Sequence, residues 1–142
     1  IFISSEGNLP DEFEQYRVKI PVNRMHDVLA FAHLFIGEGA TMASECAMLG
    51  TPAIYVNSLD VGYLKEQEKR GLITGFRNSF NVNLKIAEWL SNENLHSEIK
   101  ARRDIMLKEM IDPTKMLVWF IENYPESVKI MKENPDYQYN FR

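Results

Sequence analysis

The chain is 142 residues long, the size of one domain, and its 45% hydrophobic and 25% charged residues exclude disordered, collagen-like and mucin-like classes. With 16 Lys and Arg against 20 Asp and Glu, the net charge of -4 and isoelectric point near 5.4 offer no global positive field for a nucleic-acid backbone, and no nucleic-acid partner is expected. The single cysteine, Cys46, excludes an internal disulfide, and no apolar run approaches the ~20 residues of a bilayer-spanning helix, so a soluble, cytoplasmic protein without a transmembrane segment is expected.

The chain opens on Ile1-Phe2-Ile3-Ser4, a strand-like apolar run with neither an initiator Met nor a signal peptide, which reads as a piece of something longer. Asp11 to Gln15 reads as a short helix, Arg17 to Ile20 as a second strand, and Arg24 to Ala32 as a helix capped by Asn23. Leu34 to Ile36 is a third strand, and Ala40 to Leu49 a helix closed by Gly50 with Pro52 beyond it. Ala53 to Asn57 and Leu72 to Phe76 complete the strands. Strands alternating with helices predict an α/β fold, a Rossmann-like parallel sheet of about five strands with crossover helices.

From about Asn83 the pattern becomes purely helical, with helices over Glu93 to Met110 and from Asp112-Pro113, where Asp caps and Pro takes the first helical position. Phe80, Val82, Leu84 and Ile86 also fit strand alternation, but helix is favoured from Asn83. Met116 to Ile121 is an apolar run with no polar face, which either sits centrally in the core or docks on a domain outside this chain. The polar end from Asn134 to Arg142, with Tyr137, Tyr139 and Phe141 interleaved, reads as a docked arm or a frayed terminus. The whole is expected to be one domain over 1–142, with the sheet and crossover helices in 1–78 and C-terminal helices and tail in 79–142.

Chemistry concentrates in Gly37-Glu38-Gly39-Ala40-Thr41-Met42-Ala43-Ser44-Glu45, between a strand and a helix. A glycine-bearing turn at the carboxyl end of a parallel strand, opening a helix, presents free N–H groups and the positive helix end to an anion such as phosphate. Small residues at Ala40, Ala43, Ser44 and Ala47 let the helix lie close on the sheet, and Thr41 and Glu45, four apart, share a face. A carboxylate there suits a ribose diol, which makes a nucleoside diphosphate the expected ligand. Glycines also serve turn geometry alone, and a Glu near a helix N-terminus is favoured without any ligand. The spacing matches neither the dinucleotide fingerprint nor the Lys-bearing phosphate loop.

The run from His26 through Leu34-Phe35-Ile36-Gly37-Glu38-Gly39-Ala40-Thr41-Met42-Ala43-Ser44-Glu45 to Leu49-Gly50-Thr51-Pro52-Ala53-Ile54 resembles an uncharacterised prokaryotic family of predicted glycosyltransferases. More distantly it is similar to the C-terminal domains of GT-B-fold enzymes, notably the peptidoglycan N-acetylglucosaminyltransferase and the non-hydrolysing UDP-N-acetylglucosamine 2-epimerases. The resemblance extends from about Ile1 to Ile73, with a looser match in the helical tail. It implies that Gly37, Glu38 and Gly39 form a turn in which Gly39, Ala40 and Thr41 take the donor pyrophosphate, and that Glu45 takes the ribose. It further implies that Pro21 and Val22 meet the nucleobase through backbone groups, and that the reaction is transfer of a sugar from a nucleoside diphosphate donor without metal or other cofactor. Glu38 departs from a simple phosphate site by adding a negative charge, as the similar epimerases also do.

The partners implied are a nucleoside diphosphate sugar and an N-terminal domain of the same enzyme, which would carry the acceptor site and catalytic base. The loop at the end of the fourth strand offers Asn57, Ser58 and Tyr63, followed by Glu66 and Gln67, for sugar hydroxyls. His26 is a candidate to meet a phosphate or the domain across the cleft, although a helix-surface His also serves as a local hydrogen-bonder. His33 and His96 have no metal-ligand spacing, Cys46 and the methionines read as core, and Lys100, Arg102 and Arg103 read as a solvated face. Alternatives to a glycosyltransferase donor half are half of a UDP-sugar 2-epimerase-like enzyme and a non-catalytic α/β module that binds a ligand or protein. The resembled strand order, 3-2-1-4-5-6, places the first strand ahead of Ile1. The flanking strands should then either close into a five-stranded sheet or recruit another copy of the chain, and self-association is favoured.

Overall fold

Short apolar segments rich in β-branched and aromatic residues form a parallel sheet where a helix covers them and remain coil where nothing does. The computed structural model describes all 142 residues. Its elements in chain order are α1 (Asp11–Glu14), a 3-10 turn (Val22–Arg24), α2 (Met25–Phe31), β1 (Phe35–Gly37), α3 (Ala40–Leu49), β2 (Ala53–Val56), α4 (Gly62–Lys69) and β3 (Ile73–Phe76). Helices α5 (Val82–Leu90), α6 (Leu95–Glu109), α7 (Pro113–Glu122) and α8 (Glu126–Glu133) follow, with a last 3-10 segment (Pro135–Phe141). The fold is α/β and Rossmann-like in outline, with eight α-helices and three parallel strands in the order β1-β2-β3. Phe35 pairs with Ala53, and Ala53 in turn with Ile73, so the three carboxyl ends emerge together.

Two of the about five expected strands are not part of this sheet. Ile1 to Ser4 and Arg17 to Ile20 reduce to one parallel bridge between Ile3 and Arg17, made by Ile3 N–H to the Tyr16 carbonyl (2.8 Å) and Val18 N–H to the Ile3 carbonyl (3.0 Å). No apolar layer covers them: Ile1 is 93% exposed and Phe2 78%. A strand needs a buried face and a continuing ladder, and here neither is present. The five-stranded closure therefore does not form, and β1 is an edge strand.

The core sits between α3 and the sheet. Ala43, Cys46 and Ala47 are fully buried on α3, opposite Ala53 and Ile54 of β2, with Ile99 of α6 equally buried. Helix α3 meets all three strands as well as α2, α4 and α6, which its small side chains permit. It ends at Gly50, whose φ of 79° is left-handed and whose N–H reaches the Ala47 carbonyl. Thr51 and Pro52, buried in their turn, lead directly into β2, and the Thr51 hydroxyl donates to the Leu29 carbonyl at the end of α2 (2.8 Å).

The start of α2 differs from expectation. Asn23 does not cap it, because Pro21 opens a 3-10 turn through Arg24 N–H to the Pro21 carbonyl (2.8 Å), and the α-helix begins only at Met25 with no side-chain cap. The 82–90 segment is helical, with Val82 and Trp89 buried on one side. Asp112 accepts hydrogen bonds from the N–H groups of Thr114 (2.9 Å) and Lys115 (3.1 Å), with Pro113 at the first helical position. Met116 to Ile121 is not central to the core, since no residue of α7 is fully buried. Its Trp119 instead stacks on Tyr137 (4.8 Å between centroids) and meets Phe141 (5.2 Å), so the C-terminal arm is docked on α7. Leu117, Val118 and Ile121 stay exposed.

Candidate functional site

The β1–α3 turn is shaped by its glycines less than the sequence suggests. Gly39 has φ -80° and ψ 109°, ordinary extended backbone, and a Cβ there would lie 3.8 Å from Met42, an ordinary contact. Gly37 is constrained differently: a Cβ would come within 2.6 Å of the Phe35 ring, which crosses the same face of β1. No side chain caps α3. Ala43 N–H is satisfied by the Gly39 carbonyl (3.0 Å), while the N–H groups of Ala40, Thr41 and Met42 lie ahead of the first intrahelical bond. Glu38 and Thr41 are exposed beside them.

Glu45 is one turn further along α3, half-buried, and its Oε1 lies 3.3 Å from Nε2 of His26 on α2. Two residues 19 positions apart in sequence are thus brought together by the packing of α2 on α3. Behind Glu45, burial pushes the Cys46 thiol up to about 12, with the Glu45 charge adding to the effect. The thiol therefore stays neutral and takes no part in acid–base chemistry.

Asn57 joins the turn to the other strand ends. Its Nδ2 donates to the Glu38 carbonyl (3.2 Å), its Oδ1 accepts from Leu59 N–H (3.0 Å), and its own N–H reaches the Phe76 carbonyl at the end of β3 (2.8 Å). Beyond it, over the carboxyl ends of β2 and β3, opens a cavity of about 230 Å³ lined by Asn57 and Ser58 together with Tyr55, Glu68, Phe76 and Arg77 among others. Its two cations and two carboxylates are partly self-satisfied: Lys65 pairs with Asp60 (2.7 Å), and Glu68 Oε1 accepts from Gly75 N–H (2.8 Å).

The other sequence candidates fall elsewhere. Tyr63 is about half exposed on α4 and does not line the cavity. Glu66 is exposed on α4, paired through Oε1 with Arg70 (2.9 Å), and does not line the cavity; Gln67 is buried, donating from Nε2 to Ser44 Oγ of α3 (2.9 Å), and is turned away from it. Gln67 Oε1 has no partner. Pro21 and Val22 form the start of the 3-10 turn ahead of α2, with Val22 92% exposed. His33 and His96 form a pair of their own, His96 Nε2 lying 2.8 Å from the His33 carbonyl with ring centroids 5.1 Å apart. No cluster of His, Cys, Asp or Glu could hold a metal ion, and no helix is long and apolar enough to cross a membrane.

Sequence reasoning missed Glu68 and Arg77. Arg77 directly follows the last strand, so the rule that ligands gather beyond carboxyl ends, applied to the other strands, would have found it. Glu68 lies on α4, and no sequence signal marks it. No protein-family model, curated protein or solved structure significantly matches the chain.

Proposed function

We propose that this chain is the donor-binding part of a GT-B-type glycosyltransferase, holding a nucleoside diphosphate sugar, with uridine as the base, at the β1–α3 turn. The observation that carries the reading is the uncapped start of α3 at a strand carboxyl end with Glu45 one turn along it, its carboxylate met only by a partly exposed imidazole. On this reading the N–H groups of Ala40 and Thr41 take the pyrophosphate, where the helix dipole favours negative charge. Glu45 accepts from the ribose hydroxyls, and Asn57 and Ser58 stand where the sugar leaves the turn. The same N–H groups stabilise the charge that builds on the diphosphate as it leaves.

Calorimetry with uridine diphosphate tests this directly. Replacing Glu45 with Ala removes a charge-assisted acceptor, and because the side chain is one-third exposed (35%) the loss is expected at about 1–2 kcal/mol, the lower part of the usual range. Equal affinity in wild type and Glu45→Ala would remove Glu45 from the site, and no binding by the wild type would remove the site itself.

A further inference from the structure

The cavity over the carboxyl ends of β2 and β3 carries two charges of opposite sign that the protein itself leaves partly unused. The buried part of its lining is apolar, made by Tyr55 of β2, Leu64 of α4 and Ile73 of β3, with Phe76 half-buried beside them. Two cations and two carboxylates complete it. Lys65 and Asp60 satisfy each other at 2.7 Å. Arg77 enters no ion pair and no side-chain hydrogen bond, and Glu68 uses only Oε1, on the Gly75 N–H (2.8 Å), so its Oε2 has no partner. Gly75 is what lets that carboxylate lie on the strand, since a Cβ there would come within 3.2 Å of Oε1 and 3.6 Å of Oε2. Arg77 follows two residues later, about 7 Å along an extended chain, so both charges are offered to the same opening. The neighbouring Asn57 adds no third free group of this kind, because its Nδ2 and Oδ1 are engaged by the Glu38 carbonyl and the Leu59 N–H.

We propose that this cavity binds a small zwitterion, an aliphatic α-amino acid, with its carboxylate on Arg77, its ammonium on Glu68 and its side chain against Leu64, Ile73 and Phe76. Charge selects the class. A simple anion drawn to Arg77 would also face Glu68, and a simple cation on Glu68 would face Arg77, whereas a ligand carrying both signs satisfies both groups in a lining whose charges already cancel. The guanidinium fork suits a carboxylate, and the spare Glu68 oxygen suits an ammonium donor. Size selects within the class. A volume of about 230 Å³ equals the share of about eight waters in the liquid, enough for an aliphatic amino acid and below the ~300 Å³ at which cavities begin to take drug-sized ligands. The proposal is independent of the donor-site reading, and its test uses no nucleotide.

The experiment is an NMR titration of the whole chain with L-leucine, followed at the backbone amides. A small ligand in an open site should bind with a Kd of about 1 mM, with saturable shifts at Gly75, Phe76 and Arg77. Two analogues separate the charges without altering the protein: isocaproate lacks the ammonium and isopentylamine lacks the carboxylate, and each should bind about three- to tenfold more weakly than L-leucine, the effect of one charge-assisted contact at a partly screened site. Arg77→Gln and Glu68→Gln, both at exposed positions, should each weaken L-leucine by a similar factor, while Arg77→Gln leaves isopentylamine bound no more weakly than wild type does. No saturable shift at about tenfold above the expected Kd overturns the proposal. Shifts confined to other parts of the chain, isocaproate binding as tightly as L-leucine, or wild-type affinity in Arg77→Gln overturn it equally.

Discussion

Gly50 fixes where α3 ends and β2 begins, and its replacement by Ala should cost stability for a reason visible in the backbone. Its N–H reaches the Ala47 carbonyl (3.2 Å) and the Thr51 N–H reaches the Cys46 carbonyl (2.8 Å), the paired bonds of a Schellman motif, which require the left-handed φ of 79° at Gly50. An L-residue in that region costs about 1–2 kcal/mol. The added Cβ would also approach Lys100 Cγ at 2.8 Å, but that flexible side chain can swing away, so the backbone term dominates. For a chain of this size the loss corresponds to a fall in Tm of about 3–8 °C. Gly39→Ala is the internal control, because φ there is -80° and the new methyl makes only an ordinary contact; its effect should stay within about 0.5 kcal/mol. Urea denaturation of the two variants checks both values. Equal losses at Gly39 and Gly50, or none at Gly50, would show that the left-handed cap does not govern the cost.

Cys46, buried and with its thiol pushed up to about 12, should resist alkylation at mildly alkaline pH in the folded protein and react fully once unfolded; prompt modification of the native chain would contradict its placement. Asp112 is held below the usual carboxylate range, first by the Lys115 N–H and then by that of Thr114. Its contribution to stability is thus present above its unfolded-state value and lost as pH falls through the lower folded one, so the gap between wild-type and Asp112→Ala denaturation midpoints should close with acidification, and a gap independent of pH refutes the capping role. The uncovered edge of β1 and the exposed Ile1, Phe2, Leu117, Val118 and Ile121 are expected to produce self-association, measured by light scattering; a strictly monomeric species at high concentration rules it out.

What could be read from the sequence follows the range of the interactions involved. The end of α3 was legible because Gly50 acts through its own φ and through bonds reaching three to five residues back, and the start of α7 because Asp112 and Pro113 act within a single turn. Ile1 to Ser4 looked no less strand-like than Ala53 to Asn57, yet only the latter has α3 above it and a partner on each side; strand formation depends on neighbours that a local pattern does not contain. Asn23 failed as a cap for a different reason: Pro21 imposes a tighter turn first, which moves the helix start past it. At the candidate site, the sequence named His26 and Glu45 for separate roles, and their pairing at 3.3 Å exists only because the small residues of α3 let α2 and the sheet approach it together. The cavity shows the same dependence from the other side. Gln67 read as a polar residue free for a ligand, whereas packing turned it onto Ser44 and left Glu68, its neighbour on α4, facing the opening. One residue of rotation along a helix is about 100°, enough to exchange a buried structural amide for a cavity-lining carboxylate, and that rotation is set by the contacts of α4 with α3 and β3 rather than by anything local to the loop that precedes it.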